Sequence, residues 1–219
     1  WDTAINKGYS ALRVAIERAF FDEEVVLRGK PYIHLPHMWD IQGFYDSREL
    51  PLVLEQGIEL GFPPVVLTLE LLASMGPRFL KEGEAVSACV LPTLSILAGT
   101  RSGIDFSRCA LHKLFEHVAT KSGPVVMTKS WVDDINQRAE GSRRAMVANL
   151  RAAAKAFGTM LRALELSISP MSVSIATDME LAREIERAIL EEAVKIQAAS
   201  VAPDLGLERG SGVAAVKPS

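Results

Sequence analysis

Cysteine is almost missing from this chain: Cys89 and Cys109 are the two thiols among 219 residues. Neither has metal-ligand spacing, so the sequence offers no disulfide framework and no structural zinc motif. Both lie among apolar neighbours, which predicts buried free thiols in a reducing compartment. Long apolar runs are missing as well. The richest stretch, Ala85–Ala98, contains Ser87, Pro92, Thr93 and Ser95, and is too short to cross a bilayer. There is no excess of positive charge either. Lys and Arg number 24 against 27 Asp and Glu, a net −3, whereas a nucleic-acid-binding domain acting alone usually carries a basic footprint. Nucleotide-cradling Walker loops, GxSxG elbows, CxxC pairs, internal repeats and low-complexity tracts are all missing.

What remains is an ordinary folded composition, 48% hydrophobic and 23% charged, with enough chain for one domain and a sizeable core. No signal peptide is visible at the N-terminus. The opening on Trp1 rather than Met predicts a piece of something larger.

Periodicity supplies the elements. Tyr9–Arg28 reads as an amphipathic helix with Leu12, Ile16, Phe20 and Leu27 near one face and Gly29 as its stop. Pro31–Trp39 reads as extended. Ser47 is the expected cap of a helix over Arg48–Glu59, with Pro51 in its first turn and Gly61 closing it. Another helix follows Pro63-Pro64 to Ser74. Arg78–Lys81 and Ala85–Val90, joined by Glu82-Gly83-Glu84, read as a hairpin. After a loop from Leu91 to Gly103, a helix is expected from Ile104 to about Ala119.

Val125–Thr128 and Trp131–Ile135 read as two short strands, with the aspartate pair at the start of the second or in the turn before it. Gly141–Leu164 is the clearest helix, with an apolar stripe through Met146, Leu150, Ala154, Phe157, Leu161 and Leu164. Its basic stripe, Arg144, Arg151, Lys155 and Arg162, reads as a solvated face. Leu166–Ile175 is an expected strand. Thr177 and Glu180 form a capping box for a last helix that carries Leu181, Ile185, Ile189 and Ile196 inward. The tail from Ser200 is expected to be loose.

The chemistry lies in two aspartate motifs, each directly after an apolar run: MWDIQGFYD, ending at Asp46, and KSWVDDI, ending at Ile135. Carboxylates at the ends of adjacent strands suit a pair of Mg²⁺ ions, since Mg²⁺ takes oxygen ligands, usually one or two carboxylates plus substrate phosphates. Two such ions clamp the attacking and leaving oxygens of an in-line phosphoryl displacement. His34 and His37 form an HxxH, but Pro36 lies inside it and the segment reads as extended, which favours a structural role. His112 and His117 do not share a helix face.

Taken in order, these motifs resemble the palm region of a reverse transcriptase of the non-LTR retroelement kind. Trp39–Ser47 is similar to the family's first palm motif and Trp131–Asp134 to its aromatic-x-Asp-Asp motif. Between them, Arg78–Val90 and Ser95–Gly103 resemble the hairpin and the Gly-containing loop that leads into a helix. Leu164–Ser169 is similar to the next palm motif, Ser10–Glu24 to the helix before the first catalytic strand, and Ala202–Glu208 faintly to the motif leading towards the thumb.

The resemblance implies an α/β (α+β) fold: a mixed, largely antiparallel palm-like sheet backed by helices, with part of the fingers. It divides the chain into the end of the fingers (1–30), the palm (31–176), a helix towards the thumb (177–199) and a tail (200–219). The implied activity is RNA-directed DNA polymerisation with two Mg²⁺ ions, or Mn²⁺ in their place. The implied partners are an RNA template, a primer, dNTPs and the missing fingers and thumb, with no membrane.

Asp40, Asp133 and Asp134 are the implied catalytic and metal-binding residues, with Ile41 contributing its backbone carbonyl. Tyr45 takes the position that packs under the sugar and excludes a 2′-hydroxyl, and Gly99 and Ser102 take positions in the loop beside the nucleotide. Asp46 matches a family position of structural character.

The chain departs from the family at three places. Ala98 stands where Gln is usual, Met171 and Ser172 lie nearest to the position of a later-motif Lys, and Ile104-Asp105 replace a Ser-Pro. These departures leave open a catalytically decayed domain retained as a nucleic-acid-binding or scaffold module. An RNA-dependent RNA polymerase shares the aspartate geometry, and Tyr45 together with WVDD in place of Gly-Asp-Asp argues against it.

Overall fold

The computed structural model describes residues 10–28, 34–92, 94–96, 102–122, 126–176, 178–204 and 207–210. Along the chain run α1 (Ala11–Leu27), β1 (His34–Trp39), α2 (Leu50–Glu59), α3 (Pro64–Ser74), β2 (Lys81–Glu82), β3 (Ala85–Val86) and α4 (Gly103–Ser122). They are followed by β4 (Val126–Trp131), β5 (Asp134–Ala139), α5 (Arg143–Ala163), β6 (Val173–Ala176), α6 (Met179–Leu190), β7 (Gln197–Ala199), β8 (Val201–Asp204) and β9 (Leu207–Gly210). Two compact units result, one formed by Trp1–Gln42 with Lys113–Ser219 and the other by Gly43–His112.

The first unit is built on a five-stranded mixed sheet in the order β4-β5-β1-β6-β7. Its pairings are antiparallel except that of β6 with β7. The expected α+β architecture with a helix-backed mixed sheet is therefore present. Pairing of Trp39 with Ile135 and of Met38 with Val173 puts β1 in the middle. Between His34 and His37 the register against β6 slips, at Pro36, which has no N–H to offer the ladder. Gly29 and Thr177 lie outside the described residues.

On one face of the sheet, Trp39 is buried against Phe157 of α5, with ring centroids 5.0 Å apart. Its indole Nε1 donates to Gln137 Oε1 across the strands at 2.8 Å, and His37 meets it edge-on. The Ser142 hydroxyl caps α5 by accepting from the Ala145 N–H. The apolar stripe through Met146, Leu150, Ala154, Phe157 and Leu161 is buried as its periodicity predicts. The basic stripe is not simply solvated. Arg151 pairs with Glu191 and Glu192, and Lys155 with Glu192, which ties α5 to the end of α6. That helix is capped by Asp178, which accepts from the Glu180 N–H, one residue after the expected Thr177. Ile196 is buried, but it lies beyond the helix end.

On the opposite face, Val25 and Phe21 of α1 cluster with Met38, Val173, Ile175 and Ala202. The stripe Leu12, Ile16, Phe20 and Leu27 is exposed, while Val14, Ala15, Arg18, Asp22 and Val25 turn inward. The reason is polar. Asp22 forms a nearly buried ion pair with Arg138 of β5 at 2.7 Å, and the Arg138 guanidinium lies 4.5 Å above the Phe21 ring centre. Of the tail expected to be loose, the described segments 201–204 and 207–210 are ordered as β8 and β9, which pair antiparallel.

The second unit holds α2, α3, the β2–β3 hairpin and the first part of α4. Ser47 does not cap α2. It donates to Phe44 O and accepts from Arg48, while Glu49 occupies the cap position without a side-chain bond. The hairpin forms where expected, with Gly83 at φ +59° in its turn, a left-handed conformation that glycine adopts without strain. Arg78 and Val90 bridge beyond it. Cys109 is buried as expected, whereas Cys89 is exposed, because the segment around it stays at the surface.

Candidate active site

Sheet pairing alone brings the two aspartate motifs together. β1 ends at Trp39, opposite Ile135, so Asp40 follows at the end of the strand beside Asp134, the first residue of β5. β4 and β5 form a hairpin in which Trp131 pairs with Asp134 and Val132-Asp133 make the turn. The expected second strand thus starts at Asp134 rather than at Trp131, with Asp133 in the turn.

That turn is strained. Val132 has φ +57°, while Asp133 keeps a negative φ. A positive φ at the first central residue alone is the type II′ pattern, a position that glycine normally fills. In a β-branched residue it is a genuine outlier, and such outliers concentrate at functional sites. Val132 is itself buried, so packing holds the turn closed.

Burial raises the proton affinity of the Asp133 carboxyl, and the negative charge of Asp40 raises it further. Both effects penalise the ionised form. Asp40 and Asp134 also line a groove of about 400 Å³ whose apolar wall includes Met38, Met171 and Val173.

The backbone of Asp40 is held from the other side by the segment 167–172. Its N–H donates to Ser172 Oγ at 3.0 Å, and its carbonyl accepts from the Ser169 N–H at 2.8 Å. Ser169–Ser172 is a β-turn closed by Ser172 N–H to Ser169 O at 3.1 Å, with Pro170 at the position where its fixed φ suits the turn. The expected strand over Leu166–Ile175 is therefore only β6 preceded by this turn. Ile41 is buried and bridges to Ile168. Sequence reasoning missed this turn; its signal was the Ser-Pro pair at 169–170.

The chain matches no protein-family model and no curated protein. Assignment of the site therefore rests on its own chemistry.

Among the described residues, no group of three or more His, Cys, Asp or Glu side chains could hold a metal ion. Mg²⁺ asks for less, since it uses one or two carboxylates and completes its shell with waters and phosphates. Asp40 and Asp133 fit that requirement as two carboxylates at adjoining strand ends, where the charge of Asp40 adds to the burial that raises the proton affinity of Asp133.

The remaining expected residues belong to the second unit. Tyr45 is half-buried, its ring 5.4 Å from that of Phe44 and its carbonyl accepting from the Ile96 N–H. Ser102 is buried, and its carbonyl accepts from Phe106 N–H at the start of α4. Gly99 and Ala98 lie outside the described residues.

His37 is not a metal-site candidate. It is fully buried, and burial pushes its pKa down to about 3.

Proposed function

We propose that this chain is the palm part of an RNA-directed DNA polymerase of retroelement type, transferring nucleotidyl groups from dNTPs to a primer 3′-hydroxyl. One observation carries the reading: the pairing of β1 with β5 sets Asp40, distant in sequence, at a strand end beside the turn that holds Asp133. The strained turn that contains Val132 and Asp133 supports it.

When bound, a pair of Mg²⁺ ions, or Mn²⁺ in their place, supplies the acidity of the attacking hydroxyl and the neutralisation of the triphosphate. Asp40 and Asp133 would hold them, with Asp134 beside them and Ile41 contributing its backbone carbonyl. Burial of Asp133 limits competing water and strengthens its attraction for a cation. The apolar wall of Met38, Met171 and Val173 keeps the groove beside the carboxylates free of other charges. In this reading Tyr45 packs under the sugar, and Gly99 and Ser102 belong to the loop beside the nucleotide.

The test is primer extension by the full gene product on an RNA template with dNTPs and Mg²⁺. Extension is expected from the native protein and none from Asp133→Asn. Loss of extension when ribonucleotides replace dNTPs separates this reading from an RNA-dependent RNA polymerase.

A second reading, a reverse-transcriptase-like domain without catalysis that serves as a binding or scaffold module, is favoured by Met171 and Ser172 standing where the resemblance calls for Lys. Absence of extension from folded protein, in Mg²⁺ and in Mn²⁺, would decide for it.

A further inference from the structure

We infer that Ser172 is a positioning residue for the Asp40 carboxylate, an inference that rests on the carboxylate site proposed above. The ladder explains why a side chain is needed here. On its β6 side, β1 is paired only as far as Met38, opposite Val173. Asp40 lies beyond that pair, where its N–H meets a turn instead of a strand.

The Pro170 carbonyl already accepts from the Gln197 side-chain amide at 3.1 Å, and the Ser172 carbonyl from the Gln197 N–H at 3.0 Å. The acceptor for Asp40 is the Ser172 hydroxyl, at 3.0 Å. This hydroxyl also lies 3.4 Å from the Asp40 carbonyl, to which it donates, and that carbonyl receives the Ser169 N–H as well. Both backbone groups of Asp40 are therefore pinned by one turn, and only one of the pins is a side chain. Ser172 is 1% exposed, so water cannot readily take its place.

A carboxylate that must sit beside another gains from such a hold. Repulsion from Asp133 favours swinging Asp40 outward, and a backbone fixed at N–H and carbonyl resists it. The hydroxyl thus acts through Asp40 on the cation, as the outer partners of metal ligands generally do. Ser174 provides an internal control. It is a buried serine two residues along, on β6, whose hydroxyl has no hydrogen-bond partner.

The experiment is Mn²⁺ binding by the full chain, read by the paramagnetic resonance of free Mn²⁺. It compares the native protein with Asp133→Asn, Ser172→Ala, Ser172→Thr and Ser174→Ala, with each fold checked by circular dichroism. Native protein and Ser174→Ala are expected to bind alike. Ser172→Ala should weaken binding by roughly tenfold or more, the scale set by outer partners of metal ligands, and Ser172→Thr should restore most of it.

Should Ser172→Ala fail to fold, Ser172→Cys carries the same expectation, since a thiol fills the space but accepts weakly. Native-like affinity in Ser172→Ala or Ser172→Cys overturns the role of Ser172 and leaves the carboxylate site standing. Binding that is absent in the native protein, or unchanged in Asp133→Asn, overturns the site itself and the role of Ser172 with it.

Discussion

Asp40 raises the proton affinity of Asp133 from across the junction of two strands. Burial of the Asp133 carboxyl is the larger cause, and the charge of Asp40 adds to it. The first consequence concerns stability. A raised folded-state pKa means that the native Asp133 binds its proton more tightly than the unfolded chain does. Stability therefore falls as pH rises through the acid range, and the penalty persists at neutral pH. Asp133→Asn should raise the melting temperature in metal-free buffer, by roughly 2–4 °C for each kcal/mol relieved.

Divalent cation should separate the native protein from the aspartate variants. Saturation to 100 times Kd would stabilise the native protein by about 2.7 kcal/mol through mass action. Asp133→Asn and Asp40→Asn should show no more than the response to ionic strength. Calorimetric melts in Mg²⁺, with NaCl matched for ionic strength, make the comparison. A native protein that responds no more than the variants would argue against a cation site.

Val132 supplies a test of the strained turn. Val132→Gly removes the side-chain penalty at φ +57°, worth about 1–2 kcal/mol for an L-residue, against the lost burial of its isopropyl group. Val132→Ala retains the strain and loses only the two γ-methyls of that group. The glycine variant should therefore be the more stable of the two in urea unfolding, despite having the smaller side chain.

His37 predicts acid sensitivity. With its pKa pushed down to about 3 by burial, the native ring stays neutral while the unfolded chain takes up a proton below about pH 6.5. Between those values the unfolded state binds more protons, so stability is lost as pH falls. The slope from one proton is at most about 1.4 kcal/mol per pH unit. His37→Phe, packed against Trp39, should flatten the stability curve between about pH 6 and pH 4, measured by urea titration.

The buried bond from Trp39 Nε1 to Gln137 Oε1 should be detectable by a double-mutant cycle. Trp39→Phe leaves the amide oxygen of Gln137 without that donor and should cost about 1–3 kcal/mol beyond the lost packing. Gln137→Leu in the same background should recover part of it, because a buried polar group without its partner is then removed.

Much of the architecture was legible in local sequence. The stripe of α5, the hairpin around Gly83 and the two aspartate motifs follow from helical period, turn chemistry and carboxylates placed after apolar runs. Other features escaped because they depend on distant partners. The exposed Leu12–Leu27 stripe of α1 reads as its buried face until Arg138, on β5, supplies the ion pair for Asp22. The β8–β9 hairpin hid in a stretch rich in Gly and Pro, since pairing rather than side-chain pattern makes it a strand pair. Asp178 rather than Thr177 caps α6, a one-residue displacement that two adjacent capping side chains do not resolve.

For the site itself, local sequence singled out the candidates, Asp40 and the Asp133-Asp134 pair, because each motif follows an apolar run that reads as a buried strand. That the motifs meet came from the fold, because adjacency of β1 and β5 is a contact between segments whose pairing no local pattern encodes. It alone revealed the burial of Asp133 and the influence of the Asp40 charge on it, which depend on through-space position. It alone assigned Ser172 to Asp40, since the need for a hydroxyl arises where the β6 ladder stops and the Asp40 amide must find another acceptor.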